Sequence, residues 1–306
     1  MEHIGKVTMN YDYYSGKDLY SDGDIEDTLL EIVKNHDKSE FPEIIAEKKS
    51  WPVLYHLSDV RTNILNWYPF KKDANVLEVG AGCGAITGTL ADKTARVTAV
   101  DLSKRRSLIN AYRNKDKENL EIIIGNFYDI SSAMKERYDY VTLIGVLEYG
   151  ECYIPGENAY QAFLEKIKGL LKPDGKVLIA IENQLGLKYF AGCKEDHVGR
   201  YFEGIEGYTN TSGVRTFSKK ALADLLAQSG YEGLEFYYPY PDYKLPDTIY
   251  TDDFLPAKGE LCRNSRNFDA DRMVLFNETK AWDTIIEAGL FPEFSNSFFV
   301  VATKKG

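Results

Sequence analysis

The run Val76-Leu77-Glu78-Val79-Gly80-Ala81-Gly82-Cys83-Gly84-Ala85 constrains this chain more than any other stretch. An apolar strand ends on an acid, glycines alternate with small residues, and a helical pattern follows. Glycine here lets backbone approach a ligand where a Cβ would collide. The helix that begins there turns unsatisfied N–H groups toward the same spot. The run therefore predicts a strand–loop–helix unit that binds a nucleotide-like molecule. Gly80, Gly82 and Ala85 also fit the dinucleotide spacing. Asp101 closes the next apolar run about 20 residues on, where a carboxylate takes hydrogen bonds from ribose hydroxyls. NAD and S-adenosyl-L-methionine (SAM) both stay open on this spacing. Glu78, placed to face a charged amino-acid group, and the third glycine, Gly84, favour SAM.

Composition narrows the partners. Asp plus Glu number 47 against 37 for Lys plus Arg, a net charge of −10, which opposes broad contact with a phosphate backbone. No nucleic-acid partner is expected. Cys83, Cys152, Cys193 and Cys262 are far apart and form no C-x-x-C, which points to a reduced, cytoplasmic protein. The histidines are equally scattered, so no metal site is expected. No apolar stretch is long enough to span a membrane, and the N-terminus does not read as a signal peptide.

From Lys71 onward strands and helices alternate. Strands are expected at Val76–Val79, Val97–Val100, Glu121–Ile124, Tyr138–Ile144 and Lys176–Ile181. Helices are expected at Ile86–Asp92, Lys104–Lys115 behind a Ser103 cap, and Ala159–Leu171. This order implies right-handed crossovers and a mostly parallel sheet with helices on both faces. Residues 1–24 show no strand or helix period. Helical segments follow at Asp24–Asn35 and Trp51–Trp67, so 1–70 reads as an N-terminal helical lid before a SAM-binding core at 71–183. An irregular Gly- and Tyr-rich insertion occupies 184–217. The core resumes over 218–306, with a helix at Ser218–Gln228 and strands at Leu234–Tyr238 and Phe298–Thr303. A second insertion, 239–294, holds a Pro/Asp/Tyr-rich loop and a helix at Asp271–Ala288.

Several of these features resemble a known family. Glu78–Gly84 is similar to motif I of class I SAM-dependent methyltransferases, and Asp101 matches their ribose-binding acid. Tyr138–Val141 with Val146-Leu147-Glu148, and Leu170-Leu171-Lys172-Pro173-Asp174-Gly175, resemble motifs at their fourth and fifth strands. The resemblance implies an α/β Rossmann-like sheet of seven strands, the last antiparallel, and SAM as cofactor with S-adenosylhomocysteine as product. Asn126 stands where the family often has Asp, and Tyr149 where many relatives have His. Ile181–Gly192, Gly207-Tyr208, Gly213–Ser218 and Tyr238–Pro246 resemble bacterial methyltransferases that accompany glycosyltransferases in surface-polysaccharide assembly. That likeness implies a glycan or sugar-nucleotide acceptor and a glycosyltransferase partner; a small-molecule acceptor of another kind stays open.

Ligands of open α/β sheets sit at the carboxyl ends of strands. The expected cofactor residues are therefore Glu78, Gly80, Ala81, Gly82, Gly84, Asp101, Leu102, Asn126, Phe127 and Gly145. An attacking hydroxyl must lose its proton, and His197 is the first candidate base, its ordinary pKa suiting work near neutrality. Glu182 and Glu148, at strand ends, are alternatives. Asn183, Tyr208, Arg215 and Tyr240 are expected to bind the acceptor, the tyrosines because aromatic faces suit sugar rings. Rival readings stay open: methylation of another small molecule at N or O, an NAD-dependent oxidoreductase, and a non-catalytic SAM-binding partner of a glycosyltransferase.

Overall fold

A computed structural model describes residues 2–18, 21, 23–154, 156–264 and 271–306. Parts of two expected segments, 1–24 and 239–294, lie outside them. The chain forms two compact units, Met1–Leu143 with Lys166–Val177 and Gly306, and Ile144–Glu165 with Leu178–Lys305. These divisions fall elsewhere than the expected boundaries at 70, 183 and 217.

The first unit holds β1 (Glu2–Ile4), β2 (Val7–Tyr13), β3 (Asn75–Val79), β4 (Arg96–Asp101), β5 (Leu120–Gly125) and β6 (Tyr138–Ile144). Their order is β1-β2-β5-β4-β3-β6. Only β1–β2 is antiparallel; the other pairings are parallel. Val76, Leu77, Val97, Ala99, Ile122 and Ile124 are fully buried, as strands covered on both faces require. The chain runs outward from β3 through β4 to β5, then returns to the other side of β3 at β6. That reversal is the switch point where such sheets take ligands.

Helices α1 (Ile25–Asn35), α2 (Phe41–Lys48), α3 (Trp51–Leu57) and α4 (Asn63–Asn66) precede β3. Leu29, Ile32, Val33, Phe41, Val53 and Leu57 form one core with Cys83 of the glycine loop and with Ile109. Then come α5 (Thr87–Lys93), α6 (Lys104–Arg113) and α7 (Phe127–Ala133). Ser103 caps α6 as expected, its side chain accepting from the Arg106 N–H.

The second unit holds α8 (Gly150–Tyr153), most of α9 (Ala159–Leu170), the end of β7 (Leu171–Glu182), α10 (Leu187–Phe190) and α11 (Lys219–Gln228). It continues with β8 (Tyr231–Tyr240), β9 (Thr248–Thr251), α12 (Glu278–Glu287), α13 (Phe291–Phe294) and β10 (Ser297–Lys304). Its sheet runs β7-β10-β8-β9, with β10–β8 and β8–β9 antiparallel.

Several expectations need correction. Ten strands occur among the described residues rather than seven. Residues 2–13 are a hairpin, not an irregular stretch. Gly5, at φ 59, turns the chain between Ile4 and Val7, and Val7 and Met9 are fully buried on one face. The alternation is short, so it did not stand out. Trp51–Trp67 is not one helix. It breaks at Ser58, whose extended backbone ends α3 and whose hydroxyl starts a tighter turn at Asp59–Thr62. The stretch 271–277 is not helical; α12 begins at Glu278, capped by Asn277. The Pro-Asp-Gly turn survives as a bend inside β7, with Asp174 at φ 59.

Candidate functional site

The glycine loop follows β3. Gly80, Gly82 and Gly84 have φ of 69°, 53° and 72°, in the left-handed region that disfavours any side chain. The Gly80 and Ala81 N–H groups donate to the Val100 carbonyl at 2.8 and 3.1 Å, tying the loop to the end of β4. Asp101 completes the tie. Its Oδ2 accepts from Gly82 N–H at 2.7 Å and its Oδ1 from Ser103 N–H at 2.9 Å. Each oxygen keeps a lone pair for a ligand.

The glycines serve different ends. A Cβ on Gly82 would meet nothing within 4 Å, while one on Gly84 would stand 2.3 Å from the Asn110 Oδ1. Gly82 thus borders open space, and Gly84 lets α6 pack close. Asn110 in turn donates to the Thr87 hydroxyl at 3.0 Å, fixing the start of α5.

Glu78 is 2 % exposed, and neither carboxylate oxygen has a hydrogen-bond partner. Burial pushes its carboxyl up to about 8, partly offset by the nearby Thr87 hydroxyl. A buried acid without a donor fits a ligand that carries an ammonium group. The residues present therefore fit SAM, with Glu78 for its amino group and Asp101 for its ribose. Leu102 is half-buried beside them.

Two other expected residues are differently engaged. The Asn126 Oδ1 accepts from Tyr128 N–H at 2.9 Å, capping α7, so its amide N–H groups and one lone pair remain for an adenine edge. Phe127 is 2 % exposed and belongs to the core, which leaves its face no surface for adenine.

The second unit brings Glu148, Glu182 and His197 together. His197 Nδ1 meets Tyr149 Oη at 3.0 Å, and Nε2 meets Glu182 Oε2 at 3.2 Å. Glu195 Oε2 holds the His197 backbone N–H at 2.8 Å. Lys244 Nζ bonds Glu182 Oε1, and also Asp196 Oδ1 at 2.7 Å. Lys188 Nζ bridges Asp196 and Asp242 at 2.9 and 2.8 Å. Most of these groups are deeply buried, so their charges must be paired.

The pairing sets the protonation states. Burial alone would lower His197, but Glu182, Glu148 and Glu195 outweigh it and raise the ring to about 9. Burial would raise Glu182, but Lys244 and His197 hold it well below the usual carboxylate range. Burial dominates at Glu148 and pushes it up to about 8, with His197 opposing. Its Oε2 has no partner. At neutral pH His197 is thus an imidazolium held by two neighbours and cannot take a proton. Glu148 is mostly protonated at neutral pH and ionises above it.

The ligating atoms of Glu148, Glu182 and His197 lie within 4.8 Å of one another, a spacing a metal ion could bridge, although the sequence suggests no such cluster. The Lys244 ammonium and the imidazolium already stand against these carboxylates. Gly145, at φ 71, lies in this unit, where a Cβ would stand 2.8 Å from Tyr243 Oη.

The expected acceptor residues are mostly structural. Asn183 is fully buried; its amide donates to the Glu293 and Ser295 carbonyls and its Oδ1 accepts from Leu185 N–H. Tyr208 is 7 % exposed, its hydroxyl bonded to Glu195 and Thr216. Tyr240 is buried as well, its hydroxyl 3.4 Å from Asn264 Oδ1. These rings build the core beneath the long loops. Arg215 is exposed, its backbone N–H tied to the Glu148 carbonyl at 3.0 Å. Lys244 was missed because it stands 62 residues from Glu182 in a stretch that reads as loop.

Residues 53–235, more than half of the chain, match the family model of a methyltransferase domain. An uncharacterized methyltransferase of Staphylococcus carnosus is 30% identical over 155 residues, 51% of this chain and 67% of that protein. The ubiquinone biosynthesis O-methyltransferase of Coxiella burnetii is 28% identical over 160 residues, 49% of this chain and 64% of its own length. The chain thus covers just under two thirds of that relative. Among solved structures, a SAM-dependent methyltransferase from Archaeoglobus fulgidus superposes with a TM-score of 0.49 at 12% identity, over 82% of this chain and 94% of the other. Among the described residues no helix is long and apolar enough to cross a membrane.

Proposed function

The chain belongs to the methyltransferase-domain family and is a SAM-dependent methyltransferase, and on that premise we propose that it methylates an oxygen of a sugar or glycan. One observation carries the choice of oxygen: a buried carboxyl, Glu148, poised near neutrality beside an imidazolium. A neutral amine attacks without losing a proton first, whereas a hydroxyl needs a base as it attacks. The name of the Coxiella relative, an O-methyltransferase, supports the same choice. The likeness of the 181–246 stretch to glycosyltransferase-associated enzymes supports the glycan, and a glycosyltransferase as its source.

SAM supplies a methyl group already activated on a sulfonium. In the first unit Glu78 takes the ammonium, Asp101 the ribose hydroxyls, and the Asn126 amide an edge of adenine. In the second unit the ionised fraction of Glu148, which grows as pH rises toward 8, receives the acceptor's proton. His197 and Lys244 hold Glu182 ionised and orient it, and the imidazolium stabilises the Glu148 carboxylate each time it forms. Arg215 offers an exposed cation to a phosphate or carboxylate on the acceptor. A positioned base typically contributes about 10²–10⁴-fold in rate.

Methyl-labelled SAM with a panel of sugars, nucleotide sugars, phenols and amines tests this. Label should enter a sugar hydroxyl, and Glu148→Gln should cut that rate by about 10²–10⁴-fold. Transfer to an amine, at a rate indifferent to Glu148→Gln, would overturn the oxygen assignment.

A further inference from the structure

Met273, Val274, Leu275 and Phe276 are all exposed, Val274 to 80 %. Among the described residues this is the longest unbroken run of exposed large apolar side chains. Single exposed apolar residues are ordinary, but a contiguous patch of them marks a binding surface. The run is not a frayed end. The Met273 and Leu275 N–H groups donate to the Gly192 and Ala191 carbonyls at 2.9 and 3.3 Å. Arg272 Nη2 donates to the same Ala191 carbonyl at 3.1 Å and pairs with Glu278 at 2.6 Å. On the far side Asn277 caps α12. Gly192 makes the approach possible: at its φ of 106° a Cβ would stand 2.5 Å from the Met273 carbonyl oxygen. The backbone is tied down while the four side chains meet solvent.

The same tie sets the run beside the acceptor site. Ala191 and Gly192 follow α10, whose Lys188 reaches Asp196, the neighbour of His197. Gly192 and His197 stand five positions apart, so their backbones are separated by at most about 18 Å. Near the charged cluster of Glu182, His197 and Lys244, the second unit thus carries a surface of opposite character.

The chemistry of that surface selects its occupant. The four residues hold no charge, and Arg272 at their start is already paired with Glu278. An anionic bilayer is drawn by unpaired Lys and Arg beside an apolar wedge, and the net charge of −10 opposes it. A stable contact with a second copy needs about 800 Å² from each partner, spread over roughly 20–30 residues; four side chains supply far less. They suffice for one uncharged hydrocarbon chain. We propose that Met273–Phe276 seats an alkyl chain attached to the acceptor, so that the acceptor is an amphiphile, a sugar joined to a long apolar aglycone. The proposal rests on the glycan reading above and adds the acceptor's second half.

Methyl transfer by the full chain from labelled SAM to methyl and octyl glycosides of the same sugars, below their micelle concentrations, tests it. Each methylene removed from water is worth about fourfold, so a chain seated over part of its length should lower KM by about 10- to 100-fold and leave kcat nearly unchanged. The double substitution Val274→Ser, Leu275→Ser should erase that preference and leave the methyl glycoside rates as in the wild type; both side chains are exposed, and the Leu275 N–H keeps its bond. Equal KM for the two series in the wild type would overturn the proposal, and that comparison needs no variant to fold. An octyl preference that survives the double substitution would overturn it too, placing the chain elsewhere. Binding to phosphatidylglycerol vesicles that the double substitution abolishes, with no octyl preference in the wild type, would reassign the run to a membrane surface. Label that enters amines and no sugar of either series would instead bring down the glycan reading itself, and the proposal with it.

Discussion

Replacing His197 by Gln should flatten part of the pH dependence of stability. The ring lies among Glu182, Glu148, Glu195, Lys244 and Tyr149, and its folded pKa is raised to about 9 from 6.5. A histidine so raised stabilises the fold fully below its unfolded pKa, and loses that contribution as pH climbs through its folded pKa. At about 1.4 kcal/mol per pH unit, the shift is worth about 3 kcal/mol at low pH. Roughly 2 kcal/mol of this should vanish between about pH 7 and pH 9. Its side chain is 8% exposed, so solvent screening removes little of the effect. Glutamine can still donate to Glu182 and accept from Tyr149, so geometry is largely kept while the titration is removed. Urea unfolding, followed by fluorescence of the buried Trp282 from about pH 6 to 10, gives the difference between the two proteins. Glu148 titrates in both, but at a higher pH in the variant, which lacks the imidazolium that lowers it. Equal slopes in wild type and variant would refute the imidazolium and restore His197 as the base.

Asp101→Ala should weaken S-adenosylhomocysteine binding at least about tenfold by calorimetry and lower stability by about 1–3 kcal/mol, since the Gly82 and Ser103 N–H groups lose their acceptor; unchanged affinity would remove Asp101 from the ribose site. Gly84→Ala should cost about 2–4 kcal/mol in urea titrations, from its φ of 72° and the clash with Asn110. Adding Asn110→Ala should relieve only the steric share. Chelation should leave methyl transfer unchanged, because Lys244 and His197 already neutralise the buried carboxylates; a rate lost to EDTA and restored by a divalent ion would show otherwise.

The glycine loop, Asp101, the alternation of strands and helices, and the Ser103 cap were legible in the sequence. Each is a local signal: a positive φ that only glycine takes freely, a hydroxyl at a helix start, an apolar run of strand length. The donor and its holder follow from such signals because the loop, β3 and β4 are close in the chain. Tertiary structure decided the rest. Only burial shows that Asn183, Tyr208 and Tyr240 spend their polar groups on the fold, and that Phe127 offers no face. Only packing leaves both Glu78 carboxylate oxygens without hydrogen-bond partners. His197 illustrates the reason. Its ordinary pKa suggested a base near neutrality, but Glu182 and Glu148, 15 and 49 residues away, outweigh the effect of burial and raise it. Periodicity and turn chemistry act over a few residues. Protonation depends on desolvation and on charges that the chain brings together only when it folds.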